Sequence, residues 1–175
     1  MLKIIFCDID GVLNNKTSQT MFASGDDSKY GLDPNNVSNL INIIKNTNSK
    51  LVWSTNWRKY PFDFVWGNEK HKYVSPFKKA RNLLRKYEFQ SLPCCPHKDN
   101  TSKFEDVMQW LITIGYEFEI NFVVIDDMIE HGLYKFEDRF FLTKPQFGLT
   151  KEISNDIIEY LNTHKPTSLF LPLPL

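Results

Sequence analysis

Short apolar runs alternate with amphipathic stretches along the 175 residues of the chain. Four of these runs are rich in β-branched or aromatic residues, which is typical of buried strands. They lie at residues 3–9, 50–53, 121–125 and 139–142. The first run, KIIFCDI, is apolar over five of its seven positions and therefore predicts a central strand of a sheet.

Helices are predicted where apolar residues recur at spacings of three and four. They cover residues 34–46, 77–87, 101 or 102 to 114, and 150–161. Asp33 before Pro34 is typical of a helix start, and Ser102 with Glu105 matches a capping box. Strands that alternate with helices favour an α/β fold, here a three-layer sandwich around a Rossmann-like, mostly parallel sheet.

The segments between these elements are polar, aromatic or broken by proline. Residues 14–32 predict a loop or small insertion, which is too short for a large cap domain. Residues 60–75 are aromatic and irregular and residues 92–100 form a loop, so the region 60–100 is a candidate cover for the sheet. We expect one domain over residues 1–175, with a small cap or none, and an irregular tail at 165–175.

Composition narrows the class of protein. Hydrophobic residues make up 42% and charged residues 24%, as in an ordinary soluble domain. The 21 basic and 21 acidic residues cancel, so no global charge attracts nucleic acid or a membrane. The three cysteines are too few and too poorly spaced for a disulfide framework, and no segment resembles a signal peptide or a membrane span. We expect a cytoplasmic protein, and the sequence leaves its oligomeric state open.

Chemically active side chains follow three of the predicted strands. The first strand runs into Asp8 and Asp10, and the third into Asp126 and Asp127. The second is followed by two hydroxyl residues, Ser54 and Thr55. Because the carboxyl ends of parallel strands meet at one edge of a sheet, these groups should lie together.

Crowded carboxylates of this kind suit phosphoryl transfer with a bound cation. Oxygen ligands favour Mg²⁺, which would neutralise phosphate charge and let a carboxylate approach phosphorus. One aspartate can then act as a nucleophile, and another can protonate the leaving oxygen and activate water. The sequence therefore predicts a magnesium-dependent phosphatase.

The segment IIFCDIDGVL resembles the first motif of the haloacid dehalogenase (HAD) superfamily, a hydrophobic strand followed by DxDG. The resemblance implies that Asp8 is the nucleophile and a metal ligand, and that Asp10 is the general acid and base and ligates the metal through its carbonyl oxygen. The other motifs occur in order and imply phosphate contacts and further metal ligands: Ser54 or Thr55 and Lys103 for phosphate, Asp126 and Asp127 for the metal, the latter directly or through water.

A closer likeness is to the small HAD domains of RNA-repair proteins and their stand-alone relatives. It rests on DIDGVLN, on STNWR at 54–58, on Trp110-Leu111 and on Gly148-Leu149-Thr150. It implies a phosphomonoester substrate that is a nucleotide or a nucleic-acid end. The alternatives are a phosphatase of another small phosphorylated metabolite and a non-catalytic, phosphate-binding module.

Other residues allow a second interpretation. Lys103 could be a solvated helix lysine, in which case Lys98 is the nearest substitute. His97 near Cys94-Cys95 suggests zinc, but the spacing lacks a paired-cysteine motif, so we expect an ordinary loop there. The basic and aromatic residues of the middle third could contact single-stranded nucleic acid, although a basic helix is more often a solvated face.

Overall fold

The computed structural model of the chain is built on a four-stranded parallel sheet, in which β1 (Leu2–Cys7) lies between β2 (Lys50–Trp53) and β5 (Ile120–Asp126), and β6 (Phe140–Leu142) lies on the other side of β5. It describes residues 1–23, 31–56, 64–65, 72–73, 82, 84–85, 91–96, 101–114 and 119–166. The strands in chain order are β1 Leu2–Cys7, β2 Lys50–Trp53, β3 Phe64–Val65, β4 Lys72–Tyr73, β5 Ile120–Asp126 and β6 Phe140–Leu142. β3 and β4 form a separate antiparallel pair. The predicted α/β fold with a parallel, Rossmann-like sheet is confirmed.

Four α-helices belong to the described part of the chain: α1 Lys16–Ala23, α2 Pro34–Thr47, α3 Lys103–Ile114 and α4 Lys151–Thr163. The Asp33 carboxylate caps α2 by accepting from the two backbone N–H groups that follow Pro34. At α3, the Glu105 carboxylate accepts from the Ser102 N–H at 2.7 Å and the Ser102 hydroxyl accepts from the Glu105 N–H at 3.3 Å. This exchange is the predicted capping box, and it fixes where α3 begins.

The core lies on both faces of the sheet because the strands alternate between them. Ile5 and Cys7 of β1 pack in one cluster with residues of α2 and α4. Ile4 and Phe6 face the opposite way and pack with α3 and with the 3₁₀ segment Leu133–Arg139. Two helical layers around one sheet make the three-layer sandwich that the sequence predicts.

Two connecting segments are more ordered than the sequence indicates. The loop or small insertion predicted at 14–32 contains helix α1. Asn15 and Ser18 cap its start by exchanging side-chain bonds with each other's backbone N–H, both at 2.9 Å. The predicted loop at 92–100 is irregular over its described part, 92–96, and it hydrogen-bonds to the outer edge of β2 through Leu92 N–H to Leu51 O at 2.8 Å and Cys95 N–H to Trp53 O at 3.0 Å. Most of the region 60–100, including most of the helix predicted at 77–87, lies outside the described residues, as does the tail beyond 166.

Candidate active site

The register of the sheet places three site residues in one row. Cys7 of β1 is the pairing partner of both Trp53 of β2 and Ile125 of β5. The next position along each chain is Asp8, Ser54 or Asp126, and the ladder continues there through Asp8 N–H to Ile125 O and Ser54 N–H to Cys7 O, both at 3.0 Å. The carboxyl edge of the sheet therefore brings together residues that are up to 118 positions apart in the chain (from Asp8 to Asp126).

Lys103 joins the two aspartates of this row. Its side chain is 5% exposed, and its ammonium group donates hydrogen bonds to Asp8 Oδ2 and, at 2.6 Å, to Asp126 Oδ2. Lys103 is the first residue of α3, where a positive charge is opposed by the helix dipole. The two buried carboxylates offset that disfavoured position and hold the ammonium group at the sheet edge.

A tight turn after Asp10 brings the two acidic motifs into contact. Gly11 has a φ of +64°, and a Cβ atom there would lie 2.2 Å from Asp127 Oδ2. The buried hydroxyl of Thr143 donates to Gly11 O at 2.7 Å, while its backbone N–H donates to Asp126 O at 2.9 Å. Thr143 thus ties the turn to the end of β5.

The negative charges of the cluster exceed what Lys103 can balance. Burial and then the Asp8 charge raise the pKa of Asp126 to about 7, although Lys103 opposes the shift. The same two causes, in the same order, raise the pKa of Asp127. Burial alone would lower the pKa of Lys103, but the Asp8 and Asp126 carboxylates outweigh it and raise that pKa. The arrangement therefore keeps the ammonium group charged and leaves excess negative charge beside it.

The carboxylates have a geometry that fits a divalent cation. Asp8, Asp126 and Asp127 each offer a carboxylate oxygen, and these oxygens lie within 4.8 Å of one another. Hard oxygen donors are the ligands that Mg²⁺ prefers, and its charge would relieve the repulsion that raises the pKa of Asp126. Within the described part of the chain, this is the cluster that could hold a metal, and Cys94 and Cys95 are not members of it.

The two candidate hydroxyls differ in their surroundings. Ser54 is 2% exposed and occupies the same row as Asp8, and among the described residues nothing lies within hydrogen-bonding distance of its Oγ. Thr55 lies one position further and is fully buried. Both hydroxyls therefore lie at the edge of the sheet that carries the acidic residues, and that of Ser54 is unpaired among the described residues.

Three residues of this site were missed in the sequence. Asn14 donates to Asp10 Oδ1 at 2.8 Å, and Thr143 holds the turn at Gly11. Burial and then the Lys103 charge lower the pKa of His131, which follows the acidic pair closely in the chain. Of these three residues, only Asn14 could have been recognised from the sequence, since an asparagine just beyond a DxDG turn can hydrogen-bond back to that turn. Arg58, His97 and Lys98 lie outside the described residues.

A parallel sheet whose carboxyl edge carries DxDG, a hydroxyl, a lysine and an acidic pair defines the HAD class of phosphatase-type hydrolases. The chain belongs to the family described as the HAD domain in Swiss Army Knife RNA repair proteins, which matches residues 4–153. Searches of curated proteins and of solved structures returned no match. Over the described residues, the helices are too short or too polar to span a membrane.

Proposed function

We propose that this protein is a magnesium-dependent phosphatase that hydrolyses a phosphomonoester through an aspartyl-phosphate on Asp8. The observation that carries the proposal is the buried contact of Lys103 with both Asp8 and Asp126 at the carboxyl edge of the sheet. One ammonium group does not neutralise two buried aspartates, so the site can accept further positive charge. A phosphate bound together with its metal cation would bring one negative and one positive group to the site.

The metal would be held by Asp8, Asp126 and Asp127, whose oxygens already lie close together. The backbone carbonyl of Asp10 is a further proposed ligand, by resemblance to the first HAD motif. When bound, Mg²⁺ would neutralise charge on the phosphate oxygens. Ser54, or Thr55 in its place, and Lys103 would bind the same phosphoryl group, so that negative charge on phosphorus is met from several sides.

Two steps then complete the reaction. In the first, a carboxylate oxygen of Asp8 forms a bond to phosphorus while the bond to the leaving oxygen breaks, and Asp10 gives its proton to that oxygen. In the second, Asp10 takes a proton from water as the water attacks phosphorus, and the bond to Asp8 breaks to restore the carboxylate. The two steps release one alcohol and one phosphate and return both aspartates to their starting states.

The description of the family supports one class of substrate over others. A domain described as part of RNA-repair proteins favours a nucleotide or a nucleic-acid end over a sugar phosphate or other small metabolite. A non-catalytic phosphate-binding role is disfavoured, because Asp8, Asp10 and Lys103 are all present and Lys103 contacts the proposed nucleophile. No acidic group would be needed two residues after Asp8 in a module that only binds phosphate.

The test is magnesium-dependent release of phosphate from nucleotides, 3′- and 5′-phosphorylated oligonucleotides, sugar phosphates and an activated aryl phosphate. We expect Asp8→Asn to lose at least about a thousandfold in kcat with its fold intact, because an amide is not a nucleophile here and its Oδ1 can still accept from the Ile9 N–H. Asp156→Asn, an exposed change on α4, is the matched control and should retain full activity. Full activity in Asp8→Asn would remove Asp8 from the nucleophile role.

A further inference from the structure

The Asn14 side chain bridges the tight turn and the proposed acid–base residue. Asn14 is 5% exposed, follows the DxDG turn, and precedes helix α1. Its Nδ2 donates to Asp10 Oδ1 at 2.8 Å, and its Oδ1 accepts from the Gly11 N–H at 2.8 Å. A second donor, Gln19 Nε2 of α1, reaches the same Oδ1 at 2.9 Å. One buried amide thus contacts the turn, the helix and the Asp10 carboxyl group.

The orientation of this amide is fixed by chemistry. A backbone N–H can only donate, so the Asn14 atom that faces Gly11 must be the carbonyl oxygen. The amide NH₂ group then faces Asp10, where it can only donate. Gln19 donates to the oxygen as well, and rotation of the Asn14 amide by half a turn would break the bonds to both Gly11 and Gln19.

We propose that Asn14 is the positioning residue for Asp10: its NH₂ group holds Oδ1 and so fixes the orientation of the Asp10 carboxyl group beside the turn. This inference rests on the proposed function. In a protonated carboxyl group the carbonyl oxygen is the stronger acceptor, and it stays paired with the Asn14 NH₂ group. A carboxyl group held in one orientation presents the same oxygen to the leaving group, and later to water, in every turnover. Asn14 itself transfers no proton and touches no substrate.

Helix α1, which belongs to the insertion at residues 14–32, contacts the Asn14 amide through Gln19. Gln19 lies one turn into α1, and the start of the helix is fixed by the Asn15–Ser18 exchange. Gln19 therefore adds a second bond to an acceptor that the Gly11 N–H already holds. Gln19 contacts Asn14 on its oxygen, away from Asp10, so removal of the Gln19 amide leaves the Asn14–Asp10 bond in place.

The test uses the dependence of rate on the leaving group, since an alkoxide needs a proton and an activated phenolate does not. In Asn14→Asp the ionised side chain still accepts from Gly11 and Gln19, but it repels the Asp10 carboxylate instead of donating to it. In Asn14→Leu the donor is lost without added charge. Both variants should lose roughly 10- to 100-fold in kcat/KM on an alkyl phosphate or a nucleotide at saturating Mg²⁺, and less than about threefold on p-nitrophenyl phosphate.

Gln19→Leu is the matched control, and its ratio of alkyl to aryl rates should equal that of the wild type. Equal losses on both esters in Asn14→Asp, or no loss on either, would overturn the positioning role. If Asn14→Leu does not fold, Asn14→Asp decides, because it keeps the acceptor that the turn requires. A wild-type protein that releases no phosphate from any ester would instead refute the proposed function, and the two failures are therefore distinguishable.

Discussion

Single residues at the site are held by charges that the chain brings together from distant positions. Lys103 contacts aspartates that lie 95 and 23 positions away, and all three side chains are buried. Removing one member of such a group leaves the others unpaired in a poorly solvated place, which is more costly than the net value of the pair. The net contribution of the three charges to stability is therefore smaller than the cost of removing any one of them.

Asp126 should make the metal-free protein less stable as the pH rises. Its pKa is raised from 3.8 to about 7 in the folded state, so between these values the folded protein holds a proton that the unfolded chain has lost. Stability from this group is complete below pH 4 and is lost as the pH rises through 7. The free energy of unfolding of wild type, measured in EDTA by urea titration, should fall relative to Asp126→Asn across this window.

The slope with pH is the readout, because the substitution also changes the contact with Lys103 at every pH. A difference between wild type and Asp126→Asn that stays constant from pH 4 to 7 would contradict the raised pKa.

Elements are positioned by close backbone contacts as well as by the core. The turn before α4 crosses the residues after the DxDG turn at Gly148, which has a φ of +69°. A Cβ atom there would lie 2.1 Å from Asn36 Nδ2 and 2.6 Å from Val12 O. The run Gly148-Leu149-Thr150 therefore packs against both α2 and the loop that follows the first motif. Its last residue, Thr150, is the N-cap of α4.

Gly148→Ala should therefore destabilise the fold by about 2 to 4 kcal/mol, the sum of left-handed backbone strain and overpacking against a backbone oxygen. Gly132→Ala is the matched control, since its φ is +76° but its Cβ would find Phe104 Cβ at an ordinary 3.4 Å. That change should cost only about 1 to 2 kcal/mol, the strain alone. Equal decreases in the free energy of unfolding of the two variants, measured in urea, would show that overpacking at Gly148 adds nothing to the backbone strain.

Local sequence was sufficient for the strands and most helices but not for the connections. β1, β2 and β5 are apolar runs that end in polar residues, and α2 and α3 carry their own caps, so both their type and their limits could be predicted. Helix α1 has a polar sequence and is fixed by side-chain bonds at its start, which hydrophobic periodicity does not detect. The Thr143 contact with Gly11 joins segments 132 positions apart and requires the folded geometry.

At the scale of the whole molecule, one edge of the sheet collects the acidic residues while the net charge of the chain is zero. Binding of Mg²⁺ to this edge should stabilise the folded state by mass action, because the unfolded chain has no such cluster. At 10 mM Mg²⁺ and a dissociation constant of about 0.1 mM, the gain would be about 2.7 kcal/mol.

Thermal unfolding should therefore show a rise in Tm with Mg²⁺ for wild type, reversed by EDTA, and little or no rise for Asp126→Asn. Glu130→Gln, an exposed change outside the cluster, is the matched control and should respond as wild type does. The same rise in Asp126→Asn would place the cation elsewhere.

The most direct measurement of the central claim is detection of the covalent intermediate. In Asp10→Asn, an activated aryl phosphate needs no acid to phosphorylate Asp8, but the second step lacks its base, so the intermediate should accumulate. We expect acid-quenched protein, digested and analysed by mass spectrometry, to carry one phosphoryl group on Asp8, only when Mg²⁺ is present. Phosphate release by the wild type, with no phosphoryl group on Asp8 at any time in either protein, would contradict the account.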